Sequence, residues 1–311
     1  MSPGNILNSF NGEWDHNMTT AEFFQALVGI SGVLFVITSM LAMGMSLTIA
    51  QILQPLNSTR LVVLALLANF VLVPLLAYAI TLVIPLEQSL GIGLVVLATA
   101  AGAPFLPKLV QGAKGDVAFG VGLMVLLMVV TIFYVPIVLP LLLTGVEVNP
   151  WDIAQSLIVL MLIPLAIGLL IKSHSPDSAA HWQPFMNKIS SLAILILLVV
   201  ALGLNVSNIL SLMGTGGILA LLLFIIGSLV IGLLLGGRDP EVRSVMGLGT
   251  AQRNISAAIV VAAQNFTEGD TLSFILVASI LLLLVLLPTA KRMGARAQAT
   301  VSASDKADLN A

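Results

Sequence analysis

Residues 88–111 read QSLGIGLVVLATAAGAPFLPKLVQ, and the pattern of this segment is the most informative about the fold. It begins as a continuous apolar run, passes through a small-residue segment, and ends around Pro107 and Lys108. A continuous run without alternation predicts a helix in lipid instead of a barrel strand. Two prolines three residues apart remove two backbone donors and clash with the preceding carbonyls. We therefore expect this span to be interrupted at Pro104 and Pro107.

The composition of the whole chain indicates that lipid is its main solvent. Of 311 residues, 59% are hydrophobic and 8% are charged, whereas soluble domains carry roughly 25% charged residues. Backbone groups in lipid must be satisfied within helices or closed barrels. Because the chain has no cysteine, disulfides, thiolate metal sites and thiol catalysis are excluded. We expect an all-α polytopic membrane protein, without a metal or cofactor.

Short polar links containing Pro, Gly, Asn or Asp separate the apolar runs, as expected between helices. The predicted transmembrane helices, nine in all, are 22–49, 58–84, 88–111, 115–144, 152–172, 184–205, 214–237, 242–265 and 270–290. An extracytoplasmic tail, 1–21, precedes the transmembrane domain, 22–290, and a cytoplasmic tail, 291–311, follows it. The Ala-, Ser- and Asp-rich sequence from Arg296 onward indicates disorder.

The basic residues of the links orient the spans. With nine spans they all fall on one side, here called the basic face: Arg60, Lys114, Lys172, Lys188, Arg238, Arg243, Lys291, Arg292 and Arg296. The links on the opposite side, the acidic face, carry Asp and Glu but no Lys or Arg. The positive-inside rule makes the basic face cytoplasmic. We expect a cell-membrane protein with its N-terminus outside and its C-terminus inside.

Two basic residues, Lys108 and Arg253, do not fit in or beside a link. Arg253 lies ten residues after Arg243, or about 15 Å along a helix, which is close to the middle of a bilayer. A charge at the centre of a span costs about 2.5–3.5 kcal/mol. Residues 247–256 read GLGTAQRNIS, and these glycines and polar residues predict a second interruption, with Gly249 at the break.

Two interrupted spans in corresponding halves are typical of a transporter site, because irregular backbone inside a membrane must line a protein cavity. Spans one to four and six to nine would form two inverted repeats. The predicted substrate contacts are Lys108, Arg253, Asn254, Asn69, Gln252, Thr250 and Ser256. Alternatively, the uncharged residues tie up freed backbone groups or bond between helices, and Lys108 extends to the membrane surface.

Four short segments carry a family resemblance: residues 43–48 (MGMSLT), 67–74 (LANFVLVP), 112–118 (GAKGDVA) and 253–254. In this order and at these spans, they resemble the bile acid:sodium symporter family over nearly the whole chain. The resemblance implies a core domain whose two broken helices cross at the membrane midplane, and a panel domain that moves against it. The core would be spans two, three, four, seven, eight and nine, and the panel spans one, five and six.

The resemblance also implies two bound sodium ions, whose ligands this chain largely lacks. The aligned positions hold Leu106, Pro107, Gly120, Met124, Gly249 and Arg253, while Asn69 keeps an amide at the remaining one. Sodium, like other hard cations, requires oxygen ligands, and no Asp or Glu falls in the interior of a predicted span. We therefore expect transport without sodium, with Lys108 and Arg253 in the place of the ions.

These observations favour a secondary transporter that moves a small organic anion of the carboxylate class by alternating access. Arginine keeps its charge and grips carboxylates with a planar fork. A desolvated lysine beside another cation can lose its proton, so proton coupling, uniport and exchange all stay open. The alternatives are an anion-selective channel or facilitative pore, and a sodium-coupled symporter with displaced ligands. No catalytic set falls inside the spans, so we expect no enzyme and no nucleic-acid partner.

Overall fold

The computed structural model describes residues 20–48, 50, 58–143, 149–204, 214–266 and 270–308, and every regular element in these ranges is helical. The predicted N-terminal tail lies almost entirely outside them. In chain order the helices are α1 (Thr20–Ser46), α2 (Thr59–Val83), α3 (Gln88–Thr99), α4 (Leu106–Gly112), α5 (Val117–Leu142), α6 (Pro150–His174), α7 (Pro176–Leu204), α8 (Gly217–Leu235), α9 (Pro240–Ala251), α10 (Ile255–Asn265) and α11 (Thr271–Asp308).

Six helices of the described residues are long and apolar enough to cross a membrane. They lie in α1, α2, α5, α6, α8 and α11. The chain is therefore an all-α, multi-pass membrane protein, as its composition predicts. The third and eighth predicted spans are each divided into two short helices, α3 with α4 and α9 with α10. The count of nine spans and the inverted repeats stay predictions.

Two helix ends differ from the predicted ones. Helix α7 begins at Pro176, because a proline in the first turn lacks only a donor that has no helical partner anyway. The helix continues through Pro184, which lies inside it. Helix α11 continues to Asp308, so the disorder predicted from Arg296 is wrong for the described part of that tail. Alanine recurs through this stretch, and its high helix propensity favours continuing the helix.

Helices α2 and α6 each contain one wide, π-helical turn. These turns, Ala68–Leu72 and Ile158–Leu162, come just before Pro74 and Pro164. A proline cannot donate to the carbonyl four residues earlier, and its ring pushes that carbonyl away. Single π turns accommodate such disturbances and are frequent at functional sites. In α2, the turn places Asn69 on a buried face and frees the carbonyl of Phe70.

Helices α1, α6 and α7 pack against one another, and we call them the three-helix group. A glycine pair brings α1 and α6 into backbone contact: a Cβ on Gly44 would overlap the carbonyl of Leu165, and one on Gly168 would overlap that of Leu41. The group corresponds to the predicted panel, spans one, five and six. Its division from a core domain, and its movement against that core, remain predictions.

Candidate functional site at the helix crossing

The first break separates α3 from α4. Helix α3 ends at Thr99 and α4 begins at Leu106. Pro104 lies in a turn within the break, whereas Pro107 stands in the first turn of α4, where its missing N–H costs little. Gly102 has φ of +78°, and a Cβ there would overlap the backbone of Met128 on α5. Only glycine therefore lets this segment lie against α5.

The second break separates α9 from α10, between Gln252 and Asn254. The prediction that Gly249 forms the break is wrong, since Gly249 lies inside α9 and is buried. A glycine inside a helix costs only about 1 kcal/mol, which close packing offsets. The helix ends where Gln252 turns to extended backbone with ψ of 116°.

Asn254 joins the two breaks directly. Its backbone N–H donates to the carbonyl of Ala100 at 2.9 Å, and its Nδ2 donates to the carbonyl of Gly102 at 3.0 Å. Its Oδ1 accepts from the N–H of Ala257 at 3.1 Å and so caps the start of α10. One fully buried asparagine thus begins a helix and satisfies the unwound backbone of the other break.

Arg253 lies at the centre of the crossing, and none of its surface is exposed. Its Nε donates to the carbonyl of Leu97 at 3.0 Å, and its Nη2 to that of Ala98 at 2.7 Å. Its Nη1 donates to the carbonyl of Thr250 at 3.1 Å and to Oδ1 of Asn69 at 2.9 Å. Arginine has five N–H donors, so four of these have protein partners.

These partners explain why a charge is tolerated at this depth. Leu97 and Ala98 belong to the last turn of α3, and Thr250 to the last turn of α9. Carbonyls in a last turn lack helical partners and carry the negative end of the helix dipole. The guanidinium therefore occupies the position of a cation held by oxygens at two converging helix ends.

Lys108 does not share this cluster, which corrects the expectation that both cations stand at the crossing. Its side chain is exposed, and its Nζ lies 5.8 Å from the ring centroid of Phe105. Among the described residues, no hydrogen bond or ion pair of Lys108 is found. The difference arises because the side chains that α4 buries are Leu106, Leu109 and Val110, while Lys108 points to the opposite side.

The other predicted contacts lie around the crossing and are buried. Asn69 donates from Nδ2 to the carbonyl of Ala65 at 3.0 Å and to Oγ1 of Thr250 at 3.4 Å. Ser256 is buried in the first turn of α10. Gln252 is buried as well, and its Oε1 has no partner within the described part of the chain. Whether any of these groups touches substrate stays a prediction.

Two residues of α5 belong to the site and were missed from the sequence. Thr131 accepts from the N–H of Ala101 at 3.0 Å and donates to the carbonyl of the same residue at 3.1 Å. Tyr134 donates to the carbonyl of Phe70 at 2.6 Å. The sequence contains a signal for the bond of Tyr134: Pro74 has no N–H, so the carbonyl of Phe70 lacks its helical donor.

One of the positions that the resemblance assigns to sodium is apolar here. A Cβ on Gly249 would lie 3.2 Å from Cδ2 of Leu106 and 3.4 Å from Cδ2 of Leu123. Met124 is also buried, and a Cβ on Gly120 would lie 3.1 Å from Val110. Leucine and valine side chains, and not Lys108, therefore fill this position.

Comparison with known protein families assigns the chain to one of them. A search of curated proteins returned no match. The family model described as the sodium bile acid symporter family matches residues 33–212, more than half of the chain. The matched region includes the first break and ends before the second, so the fit between the two breaks is independent of the match. The chain belongs to the sodium bile acid symporter family.

Proposed function

We propose that this protein is a secondary transporter that carries an organic anion of the carboxylate class across the cell membrane by alternating access. In this proposal the basic face is cytoplasmic and transport does not require sodium. Membership of a transporter family supports the general activity. The charges of the two broken spans support an anionic substrate.

One observation carries the sodium independence: the guanidinium of Arg253 is bound by four protein oxygens at the crossing. Backbone and amide oxygens around a positive centre are the surroundings that a hard cation needs. A tethered guanidinium supplies that charge permanently, so no ion has to bind before the substrate. The leucine contacts around Gly249 support the same reading for the other sodium position.

In this proposal Lys108 is the cation that binds the substrate, because the guanidinium of Arg253 already donates four hydrogen bonds to protein oxygens. Lys108 is exposed, and Gln111 lies one turn later on the same exposed side of α4. An ammonium group with three free donors can bind a carboxylate as a point charge. The unpartnered Oε1 of Gln252 adds an acceptor at the crossing that suits a hydroxyl or amide on the substrate.

The direct test is uptake into proteoliposomes of labelled pyruvate, succinate and cholate, with sodium and proton gradients imposed separately. We expect saturable uptake of at least one probe at the same rate in sodium and in choline buffers. Strict dependence on sodium would contradict the assignment of Arg253 and favour a symporter with displaced ligands. Uptake that does not saturate and follows voltage alone would indicate a pore.

A second test uses Arg253→Gln, which removes the positive charge and leaves in place the four protein oxygens that bind the guanidinium. We expect the thermal stability of this variant to rise with sodium concentration, because the ion can enter the oxygen cluster and bind the folded state. The wild-type protein should show no such rise. The control is Arg243→Gln on α9, because the side chain of Arg243 is exposed. A sodium response of equal size in the wild type would count against the proposal.

A further inference from the structure

Helix α4, the half-helix after the first break, exposes polar side chains on the side opposite to the one that it buries. Its exposed residues are Lys108, Gln111 and Gly112. The long helices instead expose large apolar side chains, such as Ile137 on α5 and Leu223 on α8. Charged groups at membrane depth face water-filled cavities or the interior of the helix bundle. The polar face of α4 therefore borders water.

Helix α10, the half-helix after the second break, is covered instead. All residues from 256 to 262 are buried, and α10 packs against α1 and α6 of the three-helix group. The hydroxyl of Ser156 on α6 lies 2.6 Å from Oε1 of Gln264 and bonds the two helices together. The main contacts of α4 are with α5, α9 and α11. The three-helix group thus covers α10, the half-helix near the acidic face, and leaves α4, the half-helix near the basic face, open.

Alternating access requires the reverse arrangement, in which the group covers α4 and releases α10. Covering α4 would bury Lys108 against the halves of α1, α6 and α7 near the basic face. The charged residues at those ends are Lys172, Asp177 and Lys188, so the one carboxylate there stands against two further cations. Glu22 and Asp152 lie at the opposite ends of α1 and α6. A buried charge without a partner is strongly disfavoured.

We propose that Lys108 makes the protein an obligatory exchanger of organic anions. The three-helix group covers α4 only when a bound carboxylate neutralises Lys108, so each outward crossing of one anion is followed by the inward crossing of another. The empty protein stays open to the basic face. This inference rests on the proposed function and adds its coupling: a second organic anion of the same class instead of an ion.

The first experiment measures the empty protein and needs no known substrate. Because the chain has no cysteine, Gln111→Cys introduces a single thiol on the exposed face of α4. Its reaction with a maleimide is followed in chloride buffer without organic anions, alone and combined with Lys108→Gln, Lys108→Arg or Lys114→Gln. We expect Lys108→Gln to slow labelling at least about tenfold, because without the charge the group can cover α4. Lys108→Arg and Lys114→Gln should leave the rate unchanged.

The second experiment compares uptake of labelled pyruvate, succinate and cholate into proteoliposomes loaded with the same unlabelled anion and into empty ones. Loading should raise uptake at least about tenfold for the wild type and less than about twofold for Lys108→Gln. Equal uptake into loaded and empty vesicles by the wild type, or equal labelling with and without Lys108, overturns the inference. Failure to take up any probe in loaded vesicles removes the proposed function, while the labelling rates still decide the effect of Lys108.

Discussion

The two breaks solve the same problem with opposite chemistry. The first break supplies acceptors to the crossing: the carbonyls of Leu97, Ala98, Ala100 and Gly102. The second break supplies donors, which come from the guanidinium of Arg253 and from the backbone and side chain of Asn254. Neither unwound segment could stay unpaired in a membrane, because each missing hydrogen bond costs several kcal/mol there. Each break therefore supplies hydrogen-bond partners to the other.

The largest effect is expected for Gly102→Ala, in the first break, which supplies the acceptors. A Cβ at this positive φ would overlap the backbone of Met128, which cannot move without displacing α5. We expect the variant to lose its folded, monodisperse form in detergent, as measured by size-exclusion chromatography.

Gly237→Ala is the matched control. Gly237 also has φ of +78° but nothing within 4 Å of the added carbon, so it should cost only about 1–2 kcal/mol. Equal behaviour of the two variants would show that backbone strain, and not the contact with α5, limits the first break.

On the donor side, Arg253→Met should have the next largest effect. It leaves the carbonyl of Ala98 and Oδ1 of Asn69 without the bonds they accept from the guanidinium. Each buried acceptor left unsatisfied costs about 1–3 kcal/mol, so thermal unfolding in detergent should begin several degrees lower. Arg243→Met should change little, because this exposed side chain makes one bond, to the carbonyl of Leu233. A similar loss in both variants would contradict the central role of Arg253.

Asn254→Ala should have a smaller effect than the loss of the guanidinium. It removes the cap of α10 and the side-chain bond to Gly102, while the backbone bond to Ala100 remains. The expected loss is about 1–3 kcal/mol in the free energy of unfolding. Asn265→Ala serves as the control at the other end of α10, where the side chain donates to the carbonyl of Val261 in its own helix. Equal losses of stability in the two variants would show that the bond from Asn254 to Gly102 adds no stability beyond the capping of α10.

The smallest effect is expected for Ser156→Ala. This variant tests whether the three-helix group is bonded to α10, in contrast to α4, which the group leaves open. The variant removes the bond from α6 to Gln264, for which a typical net contribution is about 0.5–1.5 kcal/mol. Ser191→Ala removes an exposed bond within α7 and should fall within about 0.5 kcal/mol of wild type. Denaturant titration in detergent compares the two. A loss for Ser156→Ala no larger than for Ser191→Ala would mean that this bond does not hold α10.

Much of the fold follows from local sequence. Pro104 and the small residues before it predict the first break, because proline removes a donor wherever it stands. Polar residues in an apolar run predict the second break, but only to within a few residues. Local sequence predicts a break at Gly249, because glycine weakens a helix, whereas the packing of Leu106 and Leu123 against this position keeps the helix intact.

Local sequence is enough to predict a helical membrane protein with two interrupted spans, and to predict that Arg253 lies near the middle of one of them. Hydropathy, proline and charge are properties of short segments, so they can be read without the fold. The surroundings of the two cations, in contrast, depend on the tertiary structure. Arg253 is bound to Leu97, which is 156 residues away along the chain, and Lys108 is exposed on α4. Such pairings depend on which helix ends meet, and that is set by the packing of the whole chain.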